Sequence, residues 1–213
     1  LLLDVDGALG ERDRLALLLD AEPDGDDFDL SFDLAAAEDG PLAALAGLDR
    51  AYTARLRGDG TWSQWTGGLL VRSENERVAA MRVTNQAGRF GLLGKFDPSD
   101  FLSGIPARAL GDDVALKADL AIDDRAFDGR TTLIGRGLSL DADGLVDLAA
   151  NRAEDLELGV RVRDPNVLGE GMALRDTRLS ATLDGAFSDL AVVHDLRIGE
   201  LDLEGTVLAG LRQ

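Results

Sequence analysis

The residues most able to do chemistry lie between Asp26 and Glu38, in "DDFDLSFDLAAAE". Counted from Asp27 as a calcium loop of the EF-hand kind, the ligand positions fall on Asp27, Asp29, Ser31, Asp33 and Glu38. Oxygen donors at alternate positions with a terminal glutamate are what calcium requires. The sixth position, however, is Phe32, where the loop needs glycine to turn sharply, and the ninth is Ala35. Phe28, Leu30, Phe32 and Leu34 also keep an unbroken period of two, the mark of a strand with one wet and one apolar face. The strand reading therefore displaces the calcium reading. "DADG" (141–144) offers the glycine, but Ala150 stands where the glutamate belongs, and the stretch reads as a hairpin turn.

Other chemistries find little support. His194 is the only histidine, so a histidine metal cluster within this chain is excluded, and a Ser-His-Asp triad would depend on that one residue. It stands in register with Leu190, Val192 and Leu196, as a partly buried or edge histidine of a strand would. No nucleophile elbow or phosphate-binding loop of the Walker type is present, and carboxylates are too evenly spread to single out an acid/base pair. An enzyme is not expected, nor a cofactor or a metal site. Trp62 and Trp65, in "GDGTWSQWTGG", cannot both face one side of a regular strand. A bulge or bend helped by Gly67 and Gly68 is implied. The pair would either meet a ligand at the rim of a groove or cap one end of a core.

These residues sit on alternating runs. The clearest are "FDLSFDL" (28–34), "VALKADLAI" (114–122), "LELGVRV" (156–162) and "LSATL" (179–183). Shorter ones recur along the chain. Among them, "LSLDA" (138–142) and "LVDLA" (145–149) read as separate strands. Asp-Gly pairs at 6–7, 24–25, 59–60, 128–129, 143–144 and 184–185 read as hairpin turns. About a dozen short antiparallel strands in a meander are expected. Three segments break the rhythm. "EDGPLAALAGL" (38–48) reads as a short helix with Asp39 as cap and Pro41 in its first turn. "DPSDFLSGIPARAL" (97–110) reads likewise, and "DPNVLGEGMAL" (164–174) is loopier. Asp39, Asp97 and Asp164 are spaced by 58 and then 67 residues, a weak internal repeat that suggests an elongated array. No linker marks a domain boundary, so residues 1–213 are expected to form one elongated β segment.

The bulk numbers narrow the partners. A formal net charge of −18 repels nucleic-acid phosphates and anionic headgroups, so nucleic acid is not an expected partner. With no cysteine, disulfides and thiolate sites are excluded. No apolar run reaches the roughly 18 residues a membrane-spanning helix needs. The chain opens on "LLLDVDG", without an initiator methionine and already in strand pattern, as an internal piece of a longer protein would.

Each strand offers one apolar face. Two sheets could bury these faces as a sandwich, or one sheet could curl and leave them lining a trough. Period alone fits both. A lining of Leu, Val and Ala with only 5% aromatics suits mobile hydrocarbon chains better than jigsaw packing, and the uneven strand lengths suit a trough. The expected lining is Phe28, Leu30, Phe32, Leu34, Leu116, Leu120, Leu156, Leu158, Val160 and Val162.

The tail "LSATLDGAFSDLAVVHDLRIGELDLEGTVLAGL" (179–211) resembles the TamB family of the AsmA-like group of bacterial envelope proteins. It pairs an alternating strand with a glycine-bearing turn at Phe187, a second strand, and an L-x-L-x-G step. "ERDRLALLLDAEPDGDDFDLSFDL", "GDGTWSQWTGGLLV" and "GRFGLLGKFDPSDFLSG" are similar to segments of alphaproteobacterial members. The resemblance rests on strand repeats and carries no catalytic signature. It implies a mainly β fold, an elongated, curled, taco-like antiparallel sheet with one or two short helices and an apolar groove. It implies a periplasmic location, with an inner-membrane anchor outside this chain. The implied partners are phospholipid acyl chains and an outer-membrane barrel of the Omp85 class. The implied role is lipid transport between the membranes or outer-membrane protein assembly and secretion.

Overall fold

The computed structural model describes residues 2–9, 13–22, 27–46 and 49–213. It divides into two compact units, residues 1–100 and 101–213. Both are mainly β. In unit 1 seven antiparallel strands follow one another in a meander: β1 (Leu2–Leu9), β2 (Asp13–Glu22), β3 (Asp27–Ala36), β4 (Tyr52–Gly60), β5 (Gln64–Ser73), β6 (Glu76–Gln86) and β7 (Arg89–Phe96). Helix α1 (Pro41–Ala46) lies between β3 and β4. Unit 2 begins with α2 (Gly104–Leu110) and continues with β8 (Val114–Asp123), β9 (Ala126–Ile134), β10 (Leu138–Asp147) and β11 (Arg152–Val162). Then come β12 (Met172–Arg175), β13 (Arg178–Ala186), β14 (Asp189–Leu203) and β15 (Thr206–Arg212). β12 and β13 pair successive stretches of β14, and β15 pairs β14 as well.

The expected meander and the two short helices are present. The expected taco-like curl is not: within neither unit is the sheet closed or strongly curled. Within unit 1, β1 has β2 as its described partner, so the sheet keeps an open edge there.

The turns differ from the Asp-Gly expectation. The two-residue hairpins are Glu74-Asn75, Ala87-Gly88, Asp124-Arg125, Phe187-Ser188 and Glu204-Gly205. Asp124 and Arg125 both have positive φ (37° and 69°), as do Ala87 and Gly88 (53° and 85°), the pattern that matches the right-handed twist of the flanking strands. Asp128-Gly129 and Asp143-Gly144 instead lie inside β9 and β10, so residues 138–147 are one strand rather than two. Their glycines have φ of 148° and 141°. A Cβ on Gly144 would come within 2.7 Å of the Asp155 carbonyl, and one on Gly129 would collide with that of Asp119. Opposite Gly144 the register of β11 slips by one residue, a bulge at Asp155 (φ 46°). Glycine there serves close backbone approach within a twisted strand, a use that the dipeptide alone does not separate from a turn.

Cores are small and sit at the strand ends. In unit 1, Ala36, Ala43, Tyr52 and Ser73 are buried beside α1. Asp13, 2% exposed, accepts bonds from the Ala37 and Leu42 amides at 2.8 and 2.7 Å. It therefore caps α1 from a distant strand, the role expected of Asp39. In unit 2, Ala109 of α2 is buried with Val114 and Val167. The Ala109 and Leu110 carbonyls accept from the amides of Gly137 and Arg136, tying α2 to the loop between β9 and β10. That helix starts at Gly104, later than Pro98 suggested, and the 164–171 segment forms turns.

Candidate functional site: an apolar sheet face

Residues paired across antiparallel strands share a face, so the register decides what each face presents. In unit 1 one row runs Val5, Leu17, Phe32, Leu56, Leu69, Met81 and Gly94 across all seven strands. The row beside it, on the opposite face, reads Asp6, Ala16, Asp33, Arg55, Leu70, Ala80 and Lys95. In unit 2 an apolar row runs Leu116, Leu133, Leu140, Val160, Leu179 and Leu196 across six strands. Each unit is thus one amphipathic sheet.

The ten expected lining residues all lie on these apolar faces. Leu30, Phe32 and Leu34 occupy the middle of the unit 1 face and are half-buried. Leu116, Leu120, Leu156, Leu158, Val160 and Val162 share the unit 2 face, also half-buried. The bulge at Asp155 explains how Ala153 and Leu156, three apart, both reach that face. Phe28 differs: it is buried, stacked on Trp65 at 5.5 Å and meeting Trp62 edge-on at 5.8 Å, with Phe90 against Trp65 at 6.4 Å. This aromatic group closes one end of the unit 1 face, and α1 closes the other. Trp62 lies in the loop before β5, where Thr61 and Gln64 bond each other's backbone, rather than in a bulge at Gly67-Gly68. Gly58 and Gly67 are paired on the same face beside Trp65, and a Cβ on Gly58 would touch its ring at 3.3 Å. Gly58 is a signal the sequence reading passed over.

What lies between the closed ends is unusual in its burial. The buried apolar residues of the described chain are eight alanines with Phe28, Tyr52, Val114 and Val167. Not one described leucine or isoleucine is among them. Leucines ordinarily supply the deepest part of a core; here they tile a face that stays half in water. β2, expected as one of the shorter alternating runs (15–21), adds Leu15, Leu17 and Leu19 to this face, paired with Leu34, Phe32 and Leu30 and absent from the expected lining.

The polar face carries cross-strand ion pairs, Arg55 and Arg57 with Asp33, and Arg130 with Asp143. Such exposed pairs contribute about 0–1 kcal/mol. Hydrogen bonding by Asp143 raises the Arg130 pKa, and Arg197 holds the Asp195 carboxyl below the ordinary carboxylate range. Shallow depressions of about 350 and 630 Å³ in unit 2 lie over this polar face, where Gly159 and Ser180 leave room between longer side chains. His194 is exposed on the apolar face of β14, opposite Ala181, in a stretch where β13 is the described neighbour.

The arrangement in each unit is a single-layer antiparallel sheet with one apolar and one polar face. No family model, curated protein or solved structure matches the chain.

Proposed function

We propose that the chain is a hydrocarbon-binding segment of a membrane-bridging protein of the TamB type, and that its apolar faces carry phospholipid acyl chains between inner and outer membranes. One observation carries this reading: leucines tile the middle of each face, and among the described residues none is fully buried. A face of this kind gains roughly 25 cal/mol for each Å² an apolar ligand takes from water. It asks no particular geometry of that ligand, which suits passage along a conduit and needs no catalysis. In this reading the chain works in the periplasm, its parent protein is anchored in the inner membrane, and an Omp85-class barrel is its outer-membrane partner. With a sheet that is neither closed nor strongly curled in either unit, the carrier in this reading is a surface rather than an enclosed tunnel.

The test is mass spectrometry of protein purified without detergent. Co-purifying phospholipid supports the reading, and its absence from repeated preparations overturns it. A scaffold for outer-membrane protein assembly is the second reading. β15 favours it, since Val207, Leu208 and Leu211 are exposed beside a backbone edge that an added strand could pair. Crosslinkers placed on β15 would then trap barrel proteins rather than lipid.

A further inference from the structure

On the polar face of unit 2 four arginines stand in one cross-strand row. Arg161 of β11 is paired with Arg178 of β13, Arg178 with Arg197 of β14, and Arg197 with Arg212 of β15. All four are exposed. Strands lie about 4.8 Å apart, so the row spans roughly 14 Å. Like charges directly opposite each other weaken a strand pair. The chain has 40 acidic and 22 basic residues, so carboxylates to break up such a row are abundant. Elsewhere on this face they do so, as Asp143 does for Arg130. Among the described residues, Arg197 alone of the four forms an ion pair, with Asp195 at 2.6 Å, and Arg212 acts on the same carboxylate from farther off.

Beside the row opens the depression of about 350 Å³, lined by Arg161, Arg178, Arg197, Gly159 and Ser180 together with Asp141 and Asp195. Both carboxylates are engaged: Thr132 Oγ1 donates to Asp141 at 2.8 Å, and the Arg197 fork holds Asp195. Arg161 and Arg178 are cross-strand partners that both line the depression beside the small residues Gly159 and Ser180.

We propose that this row binds a multivalent phosphate-bearing anion, its oxygens held by the guanidinium forks of Arg161 and Arg178 and by the Ser180 hydroxyl. A carboxylate has two oxygens and saturates one fork. A phosphate group presents three or more oxygens and can bridge forks on adjacent strands. Two phosphates fit along the row, each relieving the repulsion that the empty row carries. This site lies on the face opposite the acyl-binding surface and does not rest on the lipid reading.

The test is titration calorimetry of the whole chain with inorganic tripolyphosphate at low salt, then with phosphatidylcholine vesicles with and without phosphatidic acid. Saturable tripolyphosphate binding that weakens as salt rises is expected. The R161Q/R178Q variant should lose roughly tenfold or more, since charge-assisted bonds are removed from two rungs. R82Q, on the polar face of unit 1, should bind as the parent does. Phosphatidic-acid vesicles that compete with tripolyphosphate identify a lipid headgroup as the source; tripolyphosphate binding alone identifies a soluble anion. Without ligand, R178Q should melt at or above the parent temperature, because a repulsion has been removed. No saturable binding of either probe, binding unchanged in the double variant, or a lower melting temperature for R178Q would each overturn the proposal.

Discussion

A single charge in the middle of the apolar face separates a surface that binds hydrocarbon from one that merely awaits packing. Leu158 stands in β11 between Ala142 and Ala181, half-buried and flanked by small neighbours. Full burial of a leucine is worth roughly 1.5–3 kcal/mol. Half of that, about 1 kcal/mol, is realised in the chain alone, so Leu158→Asp should fold with a stability loss of about that size. Under an acyl chain the balance changes. The remaining contact, about 1 kcal/mol, is lost, and an unpaired carboxylate must leave water at a cost of at least about 3 kcal/mol. Lipid affinity should therefore fall by about 4 kcal/mol, close to a thousandfold at 1.4 kcal/mol per decade. Val193→Asp is the control: Val193 is 73% exposed on the polar face of the same sheet. The assay is loading with a fluorescent phospholipid, read beside a thermal melt. Equal loading of the two variants would refute the reasoning. So would a Leu158→Asp chain that does not fold, which would place Leu158 in a packed core.

Two further outcomes follow from single side chains. Asp13→Ala should cost about 3 kcal/mol, because two amide donors lose their carboxylate partner, and hydrogen exchange at Leu42 should accelerate; an unchanged melt would remove the distant cap from the account. The Asp195 carboxyl is held down by its hydrogen bond from Arg197. A lowered folded pKa contributes stability that is present above the ordinary carboxylate range and lost as pH falls through the lowered value. Arg197→Gln should return the Asp195 titration, followed by carbon NMR, toward that range; identical titrations in both chains would refute the pairing.

Period two was legible from the residues alone, because a pleated strand sends successive side chains to opposite faces whatever it pairs with. Phe28, Leu30, Phe32 and Leu34 had to share a face, and so did the leucines and valines of 156–162. Asp128-Gly129 was misread, because glycine permits positive φ both in a turn and in a strand pressed against a neighbour, and only the neighbour tells which. The cap on α1 was beyond reach: Asp13 lies 24 and 29 residues from the amides it serves.

The sequence by itself determined that this protein is an acidic, cysteine-free meander of amphipathic strands. Tertiary structure alone decided that the leucines stay half in water, that the aromatics gather at one end, and that Arg161, Arg178, Arg197 and Arg212 form a row. Side-chain direction is a local property of the backbone, fixed by the strand's own pleat. Burial and cross-strand neighbours are properties of register, and register is set by pairings between residues far apart in the chain.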